Sequence, residues 1–520
     1  MLGPIATVGG WTMASRVLGF LRDILIARVL GAGLEADAFF VAFRFPNLFR
    51  RLFAEGAFNA AFVPLYARAL IERGPLFATR FAEETLALAL TVQLALTLLA
   101  EIAMPWLMIL IAPGFIGEGS KYDLAVQFTR ITFPYLMFMT LAGLYGGVLN
   151  AGRRYAHPAA APILLNLAMI AAMILVVPAT GRPGLILAWA VTAAGIGQFL
   201  WLHRAAAQAG SSLSLPLRPR LSPPVRRLLR LMAPGVVGSG AMQINLLIGT
   251  MIASLAPGAV SFLYYADRIC QLPMGVIGAA IGVVLLPEMT RRLRAGEPGA
   301  AVESLNRALE LGLAITAPAT VALLVIPGEI IGTLFERGAF GPEATRATAA
   351  ALAGFALGLP AYVAVKALAP AFYAREDTGT PFRYAVAAMA ANTALSLAFF
   401  PFFGFVGIAL ATSIASWMNV ALLWAKLSAS GFFAADARLR RRAPRILLAS
   451  LGMGAALMVA AAGLAEASSG GHWARIAALA ILVAGGGGVF FALAFACGGI
   501  EPSALRALLR RSARRGASTP

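Results

Sequence analysis

Apolar runs of about 20 residues, separated by short connections, recur from one end of this chain to the other. Water cannot cover them: only 12% of the 520 residues are charged and 60% are hydrophobic, against roughly a quarter charged in soluble domains. A bilayer accepts such runs only where every backbone N–H and C=O is paired within the protein, as in a helix or a closed barrel. Runs of this length are those of helices. Fourteen can be traced, at about 5–29, 34–67, 81–112, 123–150, 158–178, 184–203, 229–255, 259–290, 306–334, 347–373, 382–401, 404–426, 444–465 and 473–498. The expected fold is an all-α polytopic membrane protein with fourteen transmembrane helices.

The chain also resembles itself at a spacing of roughly 223 to 227 residues. Pro46 (FRFPN) matches Pro273 (CQLPM), Pro64 matches Pro287, Pro134 matches Pro360 and Pro158 matches Pro381. The run from Gly184 (GLILAWAVT) is echoed from Gly407 (GIALATSIAS). Two six-helix lobes follow, 1–215 and 225–435. Six is even, so both lobes enter the membrane in the same sense, as a parallel repeat. The Pro- and Ser-rich stretch 208–224 reads as the hinge between them. The last two helices, within 436–500, have no counterpart in the repeat. They are rich in Ala and Gly, a composition suited to close helix packing or to a groove for a long hydrocarbon tail. Residues 501–520 form a basic tail suited to an anionic inner leaflet.

A formal net charge of +19 fits basic cytoplasmic loops better than nucleic acid, for no aromatic-basic platform accompanies it. Arg153, Arg154, Arg218, Arg220, Arg226, Arg227, Arg291, Arg292, Arg294, Arg438, Arg440, Arg441 and Arg442 all lie in connections on one side. The opposite connections hold Arg28, Lys121, Arg182, Arg337, Arg346 and Arg475. The asymmetry places both termini in the cytoplasm. Cys270 and Cys497 are too few and too isolated for a disulfide framework or metal site, and read as small buried apolar residues. His157, His203 and His472 read as interfacial polar residues. No phosphate-cradling loop, nucleophile elbow or His cluster suggests an enzyme.

Function is concentrated in residues 15–55, where an apolar stretch carries Arg16, Arg22, Asp23, Arg28, Asp37, Arg44, Arg50, Arg51 and Glu55. Charges within a span are costly and normally face a cavity or a partner. Arg16 and Arg22 are about 120° apart on an ideal helix, so an irregular first helix is expected, bent at Gly19 with both guanidiniums pointing inward. Asp37 reads either as an acid at a helix start or, beside several arginines, as a residue that orients one of them or acts as a gate latch. Arg51 and Glu55 are spaced i, i+4 as a structural ion pair, which leaves Arg50 the better free cation beside Asn47. In the second half, Asp267 and Arg268 (YYADRICQLP) stand at the corresponding place before Pro273. Arg130 and Lys366 are weaker candidates, and Glu288, Glu310 and Glu329 read as structural. A cluster of intramembrane guanidiniums calls for an anion, and a pyrophosphate suits their bidentate geometry. Cationic drugs would want acids instead.

The motifs SRVLGFLRD (15–23), GAGLEADAFFVAFRFPNLFRRLFAEGAFNAAFVP (31–64) and YYADRICQLP (264–273) closely resemble the MurJ (MviN) family. These are lipid II flippases of peptidoglycan synthesis, within the multidrug/oligosaccharidyl-lipid/polysaccharide exporter superfamily. The resemblance spans essentially the whole chain. It implies that Arg16, Arg22, Asp37, Arg50 and Arg268 match the family's essential cavity charges, with Arg51, Glu55, Asn47 and Asp267 as secondary candidates. It further implies two lobes forming a V with a central cationic cavity, a lipid-tail groove beside the last two helices, and alternating access without ATP. The substrate would be undecaprenyl-pyrophosphate disaccharide-pentapeptide, moved from the inner to the outer leaflet of a bacterial cytoplasmic membrane. Some members have a sodium site built partly from carboxylates. The similar region here offers only the neutral Asn245, Asn392, Ser396 and Thr412, which would hold sodium weakly. No cofactor is expected, and coupling to membrane potential, a proton or another monovalent cation stays open. Expected partners are the lipid substrate, membrane lipids and proteins of cell-wall synthesis, without nucleic acid. The alternatives are a flippase for another polyprenyl-pyrophosphate glycan and a non-transporting scaffold for wall assembly.

Overall fold

The expected spans are mostly helical in the computed structural model, which describes residues 2–49, 57–214, 219–468 and 470–500, side chains excepted at 2–6, 45–49, 57, 234, 236–242, 276–280, 282–283 and 467–468. No β-strand occurs among the described residues. The chain forms two compact units, Met1–Ser261 with Arg337–Ala344, and Phe262–Glu336 with Thr345–Pro520. The first holds α1 (Leu2–Leu30), α2 (Leu34–Phe49), α3 (Ala57–Arg73), α4 (Pro75–Ile111), α5 (Gly119–Thr132), α6 (Tyr135–Ala151), α7 (Ala156–Ala171), α8 (Val177–Thr180), α9 (Pro183–Gln208) and α10 (Pro223–Ala253). A π-helical turn, Ala172–Val176, joins α7 to α8. Helix α11 (Ala259–Arg294) starts in the first unit and continues into the second. There follow α12 (Pro298–Val325), α13 (Pro327–Phe335), α14 (Pro342–Ala356), α15 (Leu359–Tyr373), α16 (Gly379–Phe403), α17 (Phe405–Ala429), α18 (Ala437–Ser468) and α19 (His472–Ala496).

Proline sets many of these boundaries. Helices α4, α9, α10, α12, α13 and α14 begin on Pro, whose fixed φ suits a first turn and whose missing N–H would have had no helical partner there. Of the matched prolines only Pro134 and Pro360 fall at breaks; Pro64, Pro273 and Pro287 lie inside helices that continue past them. The span expected at 123–150 is divided into α5 and α6 at Phe133–Pro134, and that at 347–373 into α14 and α15 just before Pro360. Among the described residues, ten helical stretches, from Pro75–Ile111 to His472–Ala496, are long and apolar enough to cross a membrane. The four expected spans outside that set fall on α1, on α2 with α3, on α10 and on α11, which carry charges or undescribed stretches.

The core of the first unit gathers on an aromatic stack: Phe62 lies 5.1 Å from Phe58, 5.6 Å from Tyr66 and 5.5 Å from Phe81. Gly147 of α6 admits the ring, since a Cβ there would stand 2.8 Å from Phe62 Cδ1. The start of the expected hinge is anchored to this core. Leu213 is buried, and Ser214 donates from its backbone N–H (2.8 Å) and its hydroxyl to Glu83. In the second unit Ile281, Met289, Leu305, Ala367 and Leu423 form one core, and α18 and α19 share another with α12.

Helix α1 ends in a clasp. The Ala339 N–H donates to the Arg28 carbonyl at 2.9 Å, and Gly31 and Gly338 both adopt left-handed φ, +65° and +61°. A Cβ on Gly31 would lie 2.4 Å from the Ala339 oxygen, and one on Gly338 would lie 2.3 Å from the Arg28 oxygen. Gly31→Ala and Gly338→Ala should each lower the thermal unfolding midpoint in detergent, the strain alone costing more than about 1 kcal/mol. Gly33→Ala, with nothing within 4 Å, should leave it unchanged.

Helix α18 is fastened by charge. Glu310 of α12, buried, accepts from Arg307, from Arg438 (3.2 Å) and from Arg442 (2.7 Å). Arg307 also pairs with Asp436, which accepts the Leu439 N–H at 2.6 Å. Glu310 is therefore structural, as expected, and it carries the base of α18. Partial burial pushes the Asp436 carboxyl up, but the Leu439 N–H and Arg307 outweigh it and hold the carboxyl below its ordinary value. Its unfolded form therefore binds a proton first as pH falls, so this stabilisation is intact above about pH 4 and is lost in more acidic solution. Asp436→Asn should flatten that part of the stability-versus-pH curve.

Candidate functional site

Arg22 sits on α1 against α7, which packs along it. Its side chain is only 6% exposed. Asp23 Oδ1 accepts from Nε (3.1 Å) and from Nη2 (2.8 Å), so the guanidinium presents one edge to its sequence neighbour. Nη1 donates to Asn166 Oδ1 of α7 at 2.9 Å, and the Arg22 Cζ lies 5.6 Å from the Phe43 ring centre on α2. A guanidinium in an apolar setting thus has a carboxylate, an amide and an aromatic face around it, which makes its burial tolerable.

Helix α1 runs unbroken through Gly19, so the expected irregularity there does not interrupt it. Gly19 serves instead as the place where the Asn166 amide lies close to α1; an added Cβ would meet the amide at 3.7 Å. Arg16 occupies an exposed position on α1, with no hydrogen bond or ion pair to a described residue. The unbroken helix explains the contrast, because six residues of regular helix turn the two side chains to different sides.

Asp37, on the first turn of α2, is fully buried. Oδ1 accepts the Ser261 N–H (2.9 Å) and hydroxyl (2.6 Å), while Oδ2 accepts the Gly258 N–H (2.9 Å) and the Lys121 ammonium (2.9 Å). Lys121 is 1% exposed, 3.7 Å from Glu118 and 4.4 Å from the centre of the Phe115 ring. Asp37 is the acceptor of a buried ion pair, and its cation is Lys121 and not an arginine. Lys121, assigned above to an outer connection, is a buried partner instead. Arg44, also on α2, donates to Thr250 of α10 at 2.6 Å.

In the second unit Arg268 is half-buried on α11 and donates to the Tyr264 hydroxyl at 2.9 Å, with its Cζ 4.8 Å from the same ring's centre. Asp267 accepts from the Gln271 amide. Arg50, Arg51 and Glu55 lie outside the described residues, as does the side chain of Asn47 on α2. Arg130 stands 4.0 Å from Glu101. Asn392 and Ser396 are buried one turn apart on α16, the Ser396 Oγ without a hydrogen-bond partner, and Thr412 Oγ1 donates to the Ile408 carbonyl on the adjoining α17. Asn245 belongs to α10 of the first unit. No group of three or more His, Cys, Asp or Glu side chains that could hold a metal ion occurs among the described residues. Cys270 is buried as expected, whereas Cys497, at the end of α19, is exposed.

Sequence reasoning did not assign roles to Asn166, Asp23 or Lys121. Asn166 carried a signal of its own, as the only amide in the apolar run AHPAAAPILLNLAMIA. A polar side chain in such a run must find a partner.

Apolar spans, broken helices and a buried arginine on α1 together define a polytopic α-helical membrane protein of the transporter type. Residues 26–484 match the family model described as "Lipid II flippase MurJ", and the chain belongs to that family. It is 46% identical over 525 residues to a "Probable lipid II flippase MurJ" of Rhizobium meliloti, covering 100% of this chain and 97% of that protein. It is 37% identical over 435 residues to the "Lipid II flippase MurJ" of Burkholderia cenocepacia, covering 82% and 84%. Its fold is similar to a solved "Lipid II flippase MurJ, inward closed conformation", with a TM-score of 0.76 at 24% identity over 94% of this chain and 97% of that one. An inward-facing multidrug resistance MATE family transporter of the MOP superfamily is similar as well, with a TM-score of 0.67 at 14% identity over 80% and 95%.

Proposed function

We propose that this chain flips lipid II, the undecaprenyl-pyrophosphate disaccharide-pentapeptide used for peptidoglycan, from the inner to the outer leaflet of a bacterial cytoplasmic membrane. Both termini would lie in the cytoplasm, and the cycle would be alternating access without chemistry on the substrate. The observation that carries the reading is the buried Arg22 guanidinium in a membrane helix of a chain that belongs to the MurJ family. A guanidinium stays charged when desolvated and matches a phosphate edge to edge. Asp23 now occupies the Nε–Nη2 edge that a phosphate oxygen would take, so substrate entry is an exchange of one anion for another.

Arg16, Asp37, Arg50 and Arg268 are proposed to serve the same passage, the arginines as pyrophosphate ligands and Asp37 as the latch that must hold and release. Asn47, Arg51, Glu55 and Asp267 are secondary candidates. In the same reading 1–215 and 225–435 are the repeated lobes, 436–500 carries the lipid-tail groove, and proteins of cell-wall synthesis are partners. The neutral set Asn392, Ser396 and Thr412 favours membrane potential or a proton over sodium as the driving force.

The test is lipid II translocation by purified protein in proteoliposomes, with sodium, proton and electrical gradients varied one at a time. Protein-dependent exposure of lipid II on the far leaflet is expected, steepened by potential and indifferent to sodium. Failure to move lipid II under any gradient, with binding of cationic dyes instead, would overturn the reading.

A further inference from the structure

We propose that Asn166 is a positioning residue for pyrophosphate recognition: it fixes the direction in which Arg22 presents its charge. This rests on the reading of Arg22 as a substrate ligand. The amide is 5% exposed and bridges two helices. Nδ2 donates to the Ser15 carbonyl at 3.0 Å, and Oδ1 accepts from Arg22 Nη1 at 2.9 Å.

The orientation of this amide is dictated by its partners. Arginine only donates and a carbonyl only accepts, so the oxygen must face Arg22 and the nitrogen must face Ser15. The Ser15 carbonyl is part of the regular backbone of α1 and does not move with side-chain rotamers. Asn166 therefore refers the guanidinium to a rigid helix through two bonds. Its neutrality matters as much as its geometry. Asp23 also orients Arg22, but it cancels the charge that an incoming pyrophosphate needs. An amide holds the guanidinium through a dipole and leaves the full positive charge when Asp23 gives way. The amide lies beside Gly19, where even an added Cβ would stand 3.7 Å away.

The test is lipid II affinity in nanodiscs together with the half-saturating lipid II density and maximal rate of transport. Asn166→Leu keeps the volume and removes the amide. We expect about tenfold weaker binding and a raised half-saturation point with a maximal rate close to wild type, as for loss of one hydrogen bond to a charged group. Asn166→Asp keeps an acceptor for Arg22 but adds a second negative charge; it should bind more weakly than Asn166→Leu. In an Arg22→Ala background, Asn166→Leu should cost nothing further. A lowered unfolding temperature with unchanged affinity in both variants would overturn the proposal, as would an Asn166→Leu penalty that persists in full without Arg22. If Arg22→Ala binds lipid II as well as wild type, the reading of Arg22 itself fails. If Arg22→Ala weakens binding and the Asn166 variants do not, only the positioning role falls.

Discussion

Arg22→Ala is expected to end lipid II transport, with a loss of at least about a hundredfold. That is the scale on which two charge-assisted hydrogen bonds to a phosphate act. The same substitution strands Asp23, which is 2% exposed and bound by two nitrogens of Arg22. Breaking a buried pair from one side costs roughly 3–5 kcal/mol, so poor folding alone could silence the variant. Arg22→Ala/Asp23→Asn separates the causes, because it removes the orphaned charge. The double variant should recover most of the unfolding temperature and none of the transport. Transport at a normal rate by the double variant would show that Arg22 is not the cation that grips the substrate.

The second large effect is expected at Asp37. Its four contacts are all with donors: two backbone N–H groups, a hydroxyl and an ammonium. Asp37→Ala leaves Lys121 charged at 1% exposure, and again roughly 3–5 kcal/mol is expected to be lost. Even Asp37→Asn should be costly, because one amide oxygen can replace only one of the two carboxylate oxygens. The amide N–H₂ would then face either the Lys121 ammonium and the Gly258 N–H or the two Ser261 donors. Thermal unfolding should fall steeply for Asp37→Ala, Asp37→Asn and Lys121→Ala, and Asp37→Leu/Lys121→Met should recover much of the loss. Independent, additive losses in the double variant would mean that the two side chains do not form one unit.

Both effects show where reasoning from sequence reaches and where it stops. The charge of Arg22 within a span and the acid at position 37 are visible as violations of an apolar pattern, because a bilayer makes every such violation costly. The breaks at Phe133–Pro134 and before Pro360 are not legible, since Pro64, Pro105, Pro273 and Pro287 lie inside helices that continue past them. Partners are not visible. Arg22 meets Asn166 across 144 positions and Asp37 meets Ser261 across 224, and neither spacing follows from any local rule. The bend expected at Gly19 is the instructive case. Glycine permits a bend and equally permits a close neighbour, and only the packing of α7 decides for the neighbour. Lys121 is similar: placed by sequence in a connection near water, it is drawn inside because a buried carboxylate needs it.

The sequence by itself determined that this chain lies in a membrane as helices, and that charges such as Arg22 and Asp37 within them must be functional or paired. Those conclusions follow from length, hydrophobicity and backbone chemistry, all of which act locally. Tertiary structure alone decided which charge answers which, because that depends on how helices distant in the chain turn their faces toward one another in a medium that leaves no buried ion unanswered.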